Sequence, residues 1–79
     1  MRKYNHKTLV KIWCNNCGRE LALENEIVKE GAFSADISWG YFSKRDGERH
    51  CFDLCEECYN QIISEFKLPV SVGNNTELI

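Results

Sequence analysis

The sequence has one proline and one methionine in 79 residues, and no apolar run approaches the roughly 18 residues that a membrane-spanning helix needs. Behind the charges of Met1-Arg2-Lys3-Tyr4-Asn5-His6-Lys7 there is no apolar stretch of the kind that marks a secretory leader, so a reducing, cytoplasmic location is expected. A glycine-rich phosphate loop, an HExxH pair and a serine set between a histidine and a carboxylate are all missing. This removes the usual motifs of nucleotide, metalloprotease and serine-nucleophile chemistry. Positive charge is not in excess either. Ten Lys and Arg against twelve Asp and Glu give a formal charge of −2, which argues against a general affinity for nucleic acid. No repeat, low-complexity tract or second domain is visible.

What the chain does have is cysteine, five in all. A domain this short buries only about 60% of its unfolded surface and needs a staple beyond its own core. Cys14-Asn15-Asn16-Cys17 and Cys55-Glu56-Glu57-Cys58 are two CxxC pairs separated by 37 residues. That spacing reads as a zinc site, whereas disulfide scaffolds come with a leader and an even cysteine count. An iron-sulfur cluster would bring proline-flanked spacings, and a catalytic dithiol would sit in a βαβ pattern; neither is present. One structural Zn²⁺ held by Cys14, Cys17, Cys55 and Cys58 is therefore expected, with no open position for water or substrate. Its two positive and the thiolates' four negative charges take the formal −2 to −4.

The remaining pattern supplies elements around that site. Thr8-Leu9-Val10-Lys11-Ile12-Trp13 predicts a strand entering a zinc knuckle at residues 14–18, with Gly18 closing the turn. Arg19 to Glu30 predicts a returning strand and then an irregular connection. Phe33, Ala35, Ile37, Trp39 and Tyr41 alternate with polar residues and predict a half-buried strand. After Ser43-Lys44-Arg45-Asp46-Gly47, the alternation of Glu48 to Leu54 predicts the second strand of a hairpin. Cys55, Cys58, Tyr59, Ile62, Ile63 and Phe66 form one helical stripe. Asp53 and Glu56 have the spacing of a capping box, which makes Asp53 the expected N-cap. Leu68-Pro69 is expected to stop the helix, and Val70 and Val72 could add a short edge strand. The expected division is a basic arm over 1–7, one zinc domain over 8–70 and a loose tail over 71–79.

Two further metal-capable residues lie on the second hairpin strand. Strand parity puts Cys51 on the outer face as a free thiol. It puts His50 on the core-facing side, where it could replace one cysteine or donate a hydrogen bond to a zinc thiolate, or be satisfied locally. Trp39 and Tyr41 either pack on the helix stripe to complete a small core or stand out as a recognition surface, and Phe42 breaks the alternation.

Knuckle, hairpin, then a helix carrying the second ligand pair resembles the treble-clef zinc-finger superfamily over residues 9–66, with Cys14, Cys17, Cys55 and Cys58 on its four ligand positions. The resemblance implies a small α+β zinc-stabilised domain and says little about function. Residues 54–60 also resemble the helix start of HNH-type endonucleases. That family places a metal-binding histidine where this chain has Tyr59, and a paired Asp-His or His-His on the first hairpin strand, where residues 33–42 contain no histidine. A nuclease would then lack both its metal ligand and its general base. The segment Trp39 to Cys58 is similar to small zinc-finger proteins of bacteria and phages.

No enzymatic activity is expected. The expectation is a binding module, an accessory, regulatory or inhibitor protein that meets a protein partner, or a second copy of itself, through Trp39, Tyr41, Phe42, Lys44 and Arg45. The alternative is nucleic acid bound by Arg2, Lys3, Lys7, Lys11, Arg19, Lys44 and Arg45. A membrane or small-molecule ligand is not inferred.

Overall fold

The computed structural model describes residues 1–74. Seven elements follow in order: β1 (Arg2–Asn5), β2 (Thr8–Ile12), β3 (Leu23–Glu24), β4 (Ile27–Val28), β5 (Ala32–Ser38), β6 (Arg49–Cys55) and α1 (Glu56–Ser64). The strands form three separate antiparallel pairs, β1 with β2, β3 with β4 and β5 with β6. The architecture is a small α+β arrangement of hairpins with one C-terminal helix. No helix is long and apolar enough to cross a membrane among the described residues.

The basic stretch at 1–7 is not a free arm. Arg2–Asn5 pairs with β2 along its whole length, and Trp13 donates its amide to the Met1 carbonyl at 2.7 Å. Hydrophobic alternation could not announce β1 because all four of its residues are exposed. His6 and Lys7 join the two strands with φ of 53° and 71°, the left-handed pair of a type I′ hairpin turn. Asn25 and Glu26, at 51° and 66°, close β3 and β4 in the same way. The expected irregular connection is therefore a second two-residue hairpin. Neither turn carries the Asn-Gly signature that would have revealed it.

In β2 the register slips opposite Lys3 and Tyr4, so that Val10 has no cross-strand partner. This bulge lets Leu9 and Ile12, three residues apart, both turn inward; each is buried, Ile12 completely. The core is small. Ile12, Cys14, Leu21, Leu54, Cys55 and Cys58 form its buried cluster, with Leu23, Val28 and Phe52 packed against it.

The long hairpin holds the expected faces. Phe33, Ala35 and Ile37 stand opposite Leu54, Phe52 and His50; on the other face Ser34, Asp36 and Ser38 stand opposite Asp53, Cys51 and Arg49. The first strand stops at Ser38, short of Tyr41. Trp39 still bonds its amide to the Glu48 carbonyl at 2.9 Å, after which successive turns through Ser43 and Arg45 carry the chain round. Gly47, at φ 93°, ends that loop.

Helix α1 begins later than the capping-box spacing predicts. Its N-cap is Cys55, in extended geometry and without a side-chain cap, because Asp53 is committed to other partners inside β6. It also ends before Leu68-Pro69. The Glu65 amide turns back to the Ile62 carbonyl at 3.2 Å, a tightened last turn, so the proline is not what stops it. Only Cys58 of the helix is buried. Val70 and Val72 form no strand, and positions 75–79 of the expected tail lie outside the described residues.

Candidate metal centre

The knuckle is built by backbone hydrogen bonds before any metal is considered. Cys14 donates its amide to the Arg19 carbonyl at 2.8 Å, and Gly18 donates to the Cys14 carbonyl at 2.9 Å. Gly18 sits at φ 81°, where a side chain would be strained. The Cys17 amide points at the Cys14 sulfur, 3.5 Å away.

What fixes the knuckle against the other half of the site is Asn15. Its backbone amide donates to the Asp53 carbonyl at 2.7 Å, and its side-chain oxygen accepts the Asp53 amide at 2.9 Å. One residue inside the first CxxC thus occupies both peptide groups of a residue two positions before the second. Asn16 adds a contact of its own, its carboxamide lying 3.3 Å from the Cys58 sulfur.

Asp53 is buried and its carboxylate gathers a compact set of donors. Arg2 reaches its two oxygens at 3.1 and 3.2 Å, Ser34 donates at 2.7 Å, and the Met1 ammonium lies 3.1 Å away. Burial works against the charge, but Arg2, Ser34 and the ammonium outweigh it and hold the carboxyl below its ordinary range. Arg2, read from the sequence as a surface cation, is thereby tied to the hairpin.

Around this bracket the sulfurs of Cys14, Cys17, Cys55 and Cys58 all lie within 4.8 Å of one another. The Cys17 and Cys55 sulfurs are 3.9 Å apart. Four sulfurs at 2.3 Å from a tetrahedral Zn²⁺ would be separated by about 3.8 Å, so the set has the span that the ion requires. None of the cysteines is in a disulfide. The four cysteines form a single zinc-binding site.

Electrostatics point the same way. Burial opposes ionisation of Cys14, yet the amides of Cys17, Cys55 and Asn16 bring it down to about 6. The Cys58 amide, in the first turn of α1, draws Cys55 down as well. The Asn16 carboxamide favours a Cys58 thiolate, but Cys55, burial, Cys14 and Cys17 push it up to about 12. So many thiolates in one small volume repel, and a divalent cation among them removes that repulsion. Cys14, Cys55 and Cys58 are buried, while Cys17 is exposed.

His50 and Cys51 do not join this group. His50 lies five residues before Cys55, about 17 Å along an extended strand. Trp39 donates its indole N–H to His50 Nδ1 at 3.2 Å, and Nε2 faces Glu48 at 3.0 Å. With both ring nitrogens occupied, it donates no hydrogen bond to the thiolates. Cys51 is exposed on the polar face, 3.6 Å from the Asp36 carboxylate. Trp39 leans on His50 rather than on the helix, with ring centroids 5.8 Å apart.

The other surface residues divide by type. Among the described residues every arginine is in an ion pair: Arg2 with Asp53 at 3.1 Å, Arg19 with Glu30 at 2.6 Å, Arg45 with Glu48 at 3.7 Å and Arg49 with Asp36 at 2.6 Å. Arg2, Arg19 and Arg45 therefore already have carboxylate partners. Lys3 and Lys11 stand directly across from each other in β1 and β2. No family model, curated protein or solved structure matches the chain.

The residues that sequence reasoning passed over are Asn15 and Asn16, which look like filler between ligands, and Asp53 in its role as a buried ion-pair acceptor. A CxxC motif leaves its middle positions open, and no spacing rule marks which of them will reach across to another strand.

Proposed function

We propose that this chain is a treble-clef zinc module that presents an aromatic hairpin tip to a protein partner, acting as an accessory, regulatory or inhibitor protein. The observation that carries this reading is the state of residues 41 and 42. Tyr41 is 82% and Phe42 98% exposed, and the two rings pack edge to face on each other, centroids 5.2 Å apart. They lie at the end of a hairpin whose base carries half of the zinc site, so large apolar side chains are held out on a braced support. Aromatic anchors of this kind dominate protein interfaces. Lys44 beside them supplies a charged rim.

Closed coordination by four sulfurs favours a structural role for the metal over a catalytic one. Tyr59, where HNH-type nucleases carry a metal-binding histidine, stacks on Phe33 with ring centroids 5.4 Å apart. Binding rather than turnover is the reading that these placements favour. A nucleic-acid alternative rests on the opposed Lys3 and Lys11.

A pull-down from lysate with the zinc-loaded chain separates these readings. Capture of a defined protein that survives nuclease treatment and moderate salt, and is lost in Tyr41→Ser/Phe42→Ser, supports the tip. Nuclease-sensitive capture that falls steeply with salt and with Lys3→Glu/Lys11→Glu supports nucleic acid instead. Metal-dependent nicking of DNA by the purified chain would overturn both.

A further inference from the structure

The long hairpin has two edges in different states. The Trp39 amide bonds to Glu48 across the hairpin, so the peptide groups of Phe33, Ala35, Ile37 and Trp39 face β6, and those of Ala32, Ser34, Asp36 and Ser38 face outward. The edge of β6 is closed at Asp53 by Asn15. The edge of β5 has no paired strand among the described residues. It carries no lysine, proline or bulge, and its one charged residue, Asp36, is already paired with Arg49 at 2.6 Å. By contrast β1 and β2 carry a bulge and the Lys3–Lys11 pair.

We infer that β5 pairs antiparallel with β5 of a second copy about a two-fold axis at Ala35, joining two hairpins into a four-stranded sheet. The sequence of β5 suits this one register. Ser34 then stands opposite the second copy's Asp36 and Ala32 opposite its Ser38, with about eight edge hydrogen bonds formed. On the apolar face Phe33 meets the second copy's Ile37, while the two small Ala35 side chains meet on the axis. Slipping by two residues one way would set Asp36 against Asp36, and the other way would set Ile37 against Gly31.

The pairing also covers what the helix leaves open. Tyr59 of α1 stacks on Phe33 at one end of the apolar face, yet Phe33 is still 40% exposed and Ile37 at the other end 42%. The two-fold axis brings the second copy's Phe33 and its helix beside Ile37.

Sedimentation equilibrium of the zinc-loaded full chain tests this. The expected mass is twice 9.2 kDa at tens of micromolar, falling to that of one chain in Asp36→Pro with zinc retained. Tyr41→Ser/Phe42→Ser should leave the mass unchanged, which separates this edge from the tip. Should Asp36→Pro lose its zinc, Ala35→Cys in a Cys51→Ser background decides. The non-hydrogen-bonded pair on the axis has Cα atoms about 4.5 Å apart, within disulfide reach, and mild oxidation should link two chains through position 35. A one-chain mass for the unaltered protein, or a dimer that neither breaks with Asp36→Pro nor links at position 35, would overturn the pairing.

Discussion

The two ends of the long hairpin obey different physics. At its base, Leu54 and Cys55 are buried beside Ile12, Cys14 and Leu21, and the Asn15 bracket ties them to the knuckle. At its tip, Tyr41 and Phe42 are held by local turns and touch mainly each other. The same strand pair thus runs from a metal-centred core to bare aromatic surface. Stability is concentrated at one end, and side chains at the other are released from packing duty.

The hardest test of that contrast removes a ligand. Cys14→Ser or Cys58→Ser should abolish stoichiometric zinc and unfold the chain, since structural zinc in small domains supplies about 10–16 kcal/mol, as much as a whole domain's stability. Metal analysis and far-UV circular dichroism would show it, and a chelator should do the same to the unaltered chain. Folding that persists without zinc would dissolve the distinction between the two ends.

Next in size is Asp53→Asn, which leaves Arg2 facing a neutral group; the carboxylate is buried but Arg2 is partly open to solvent, so losing these charge-assisted bonds should cost about 1.5–3 kcal/mol. The folded carboxyl lies below its usual range, so its contribution is present above the unfolded pKa of about 3.9 and is lost as pH falls through the folded value. The gap in melting temperature between the parent and Asp53→Asn should therefore be full near pH 7 and narrow as the pH drops below about 4. A gap that does not change with pH would mean that charge is not what Asp53 contributes.

Much of this base was legible beforehand, because the ligands announce themselves by spacing and β5, β6 and α1 by periodicity. The rest was silent for a physical reason. Strand β1 is exposed on both faces, the His6-Lys7 and Asn25-Glu26 turns take left-handed geometry without glycine, and the capping-box spacing of Asp53 and Glu56 competes with a tertiary ion pair that exists only once Arg2 has been brought alongside. Periodicity reports burial, and those segments bury little.

Smaller effects sharpen the comparison. Lys7→Gly relieves a left-handed φ of 71° at a site remote from the metal. It should raise stability by about 0.5–1 kcal/mol in a denaturant melt. A loss of stability would show that the Lys7 side chain does more than close a turn. Smallest of all, Tyr41→Ser/Phe42→Ser should shift the same melt by less than about 0.5 kcal/mol, and a larger loss would place the tip inside the cooperative unit.

Among the four ligands only Cys17 is exposed, so the metal has a door on one side. A chelator or competing thiol must displace Cys17 first, while the three buried sulfurs and the Asn15 bracket keep the remaining shell in place. Metal exchange should then depend on the concentration of the incoming ligand rather than on global unfolding. The affinity of the centre and the speed at which it trades its ion are thus set by different cysteines.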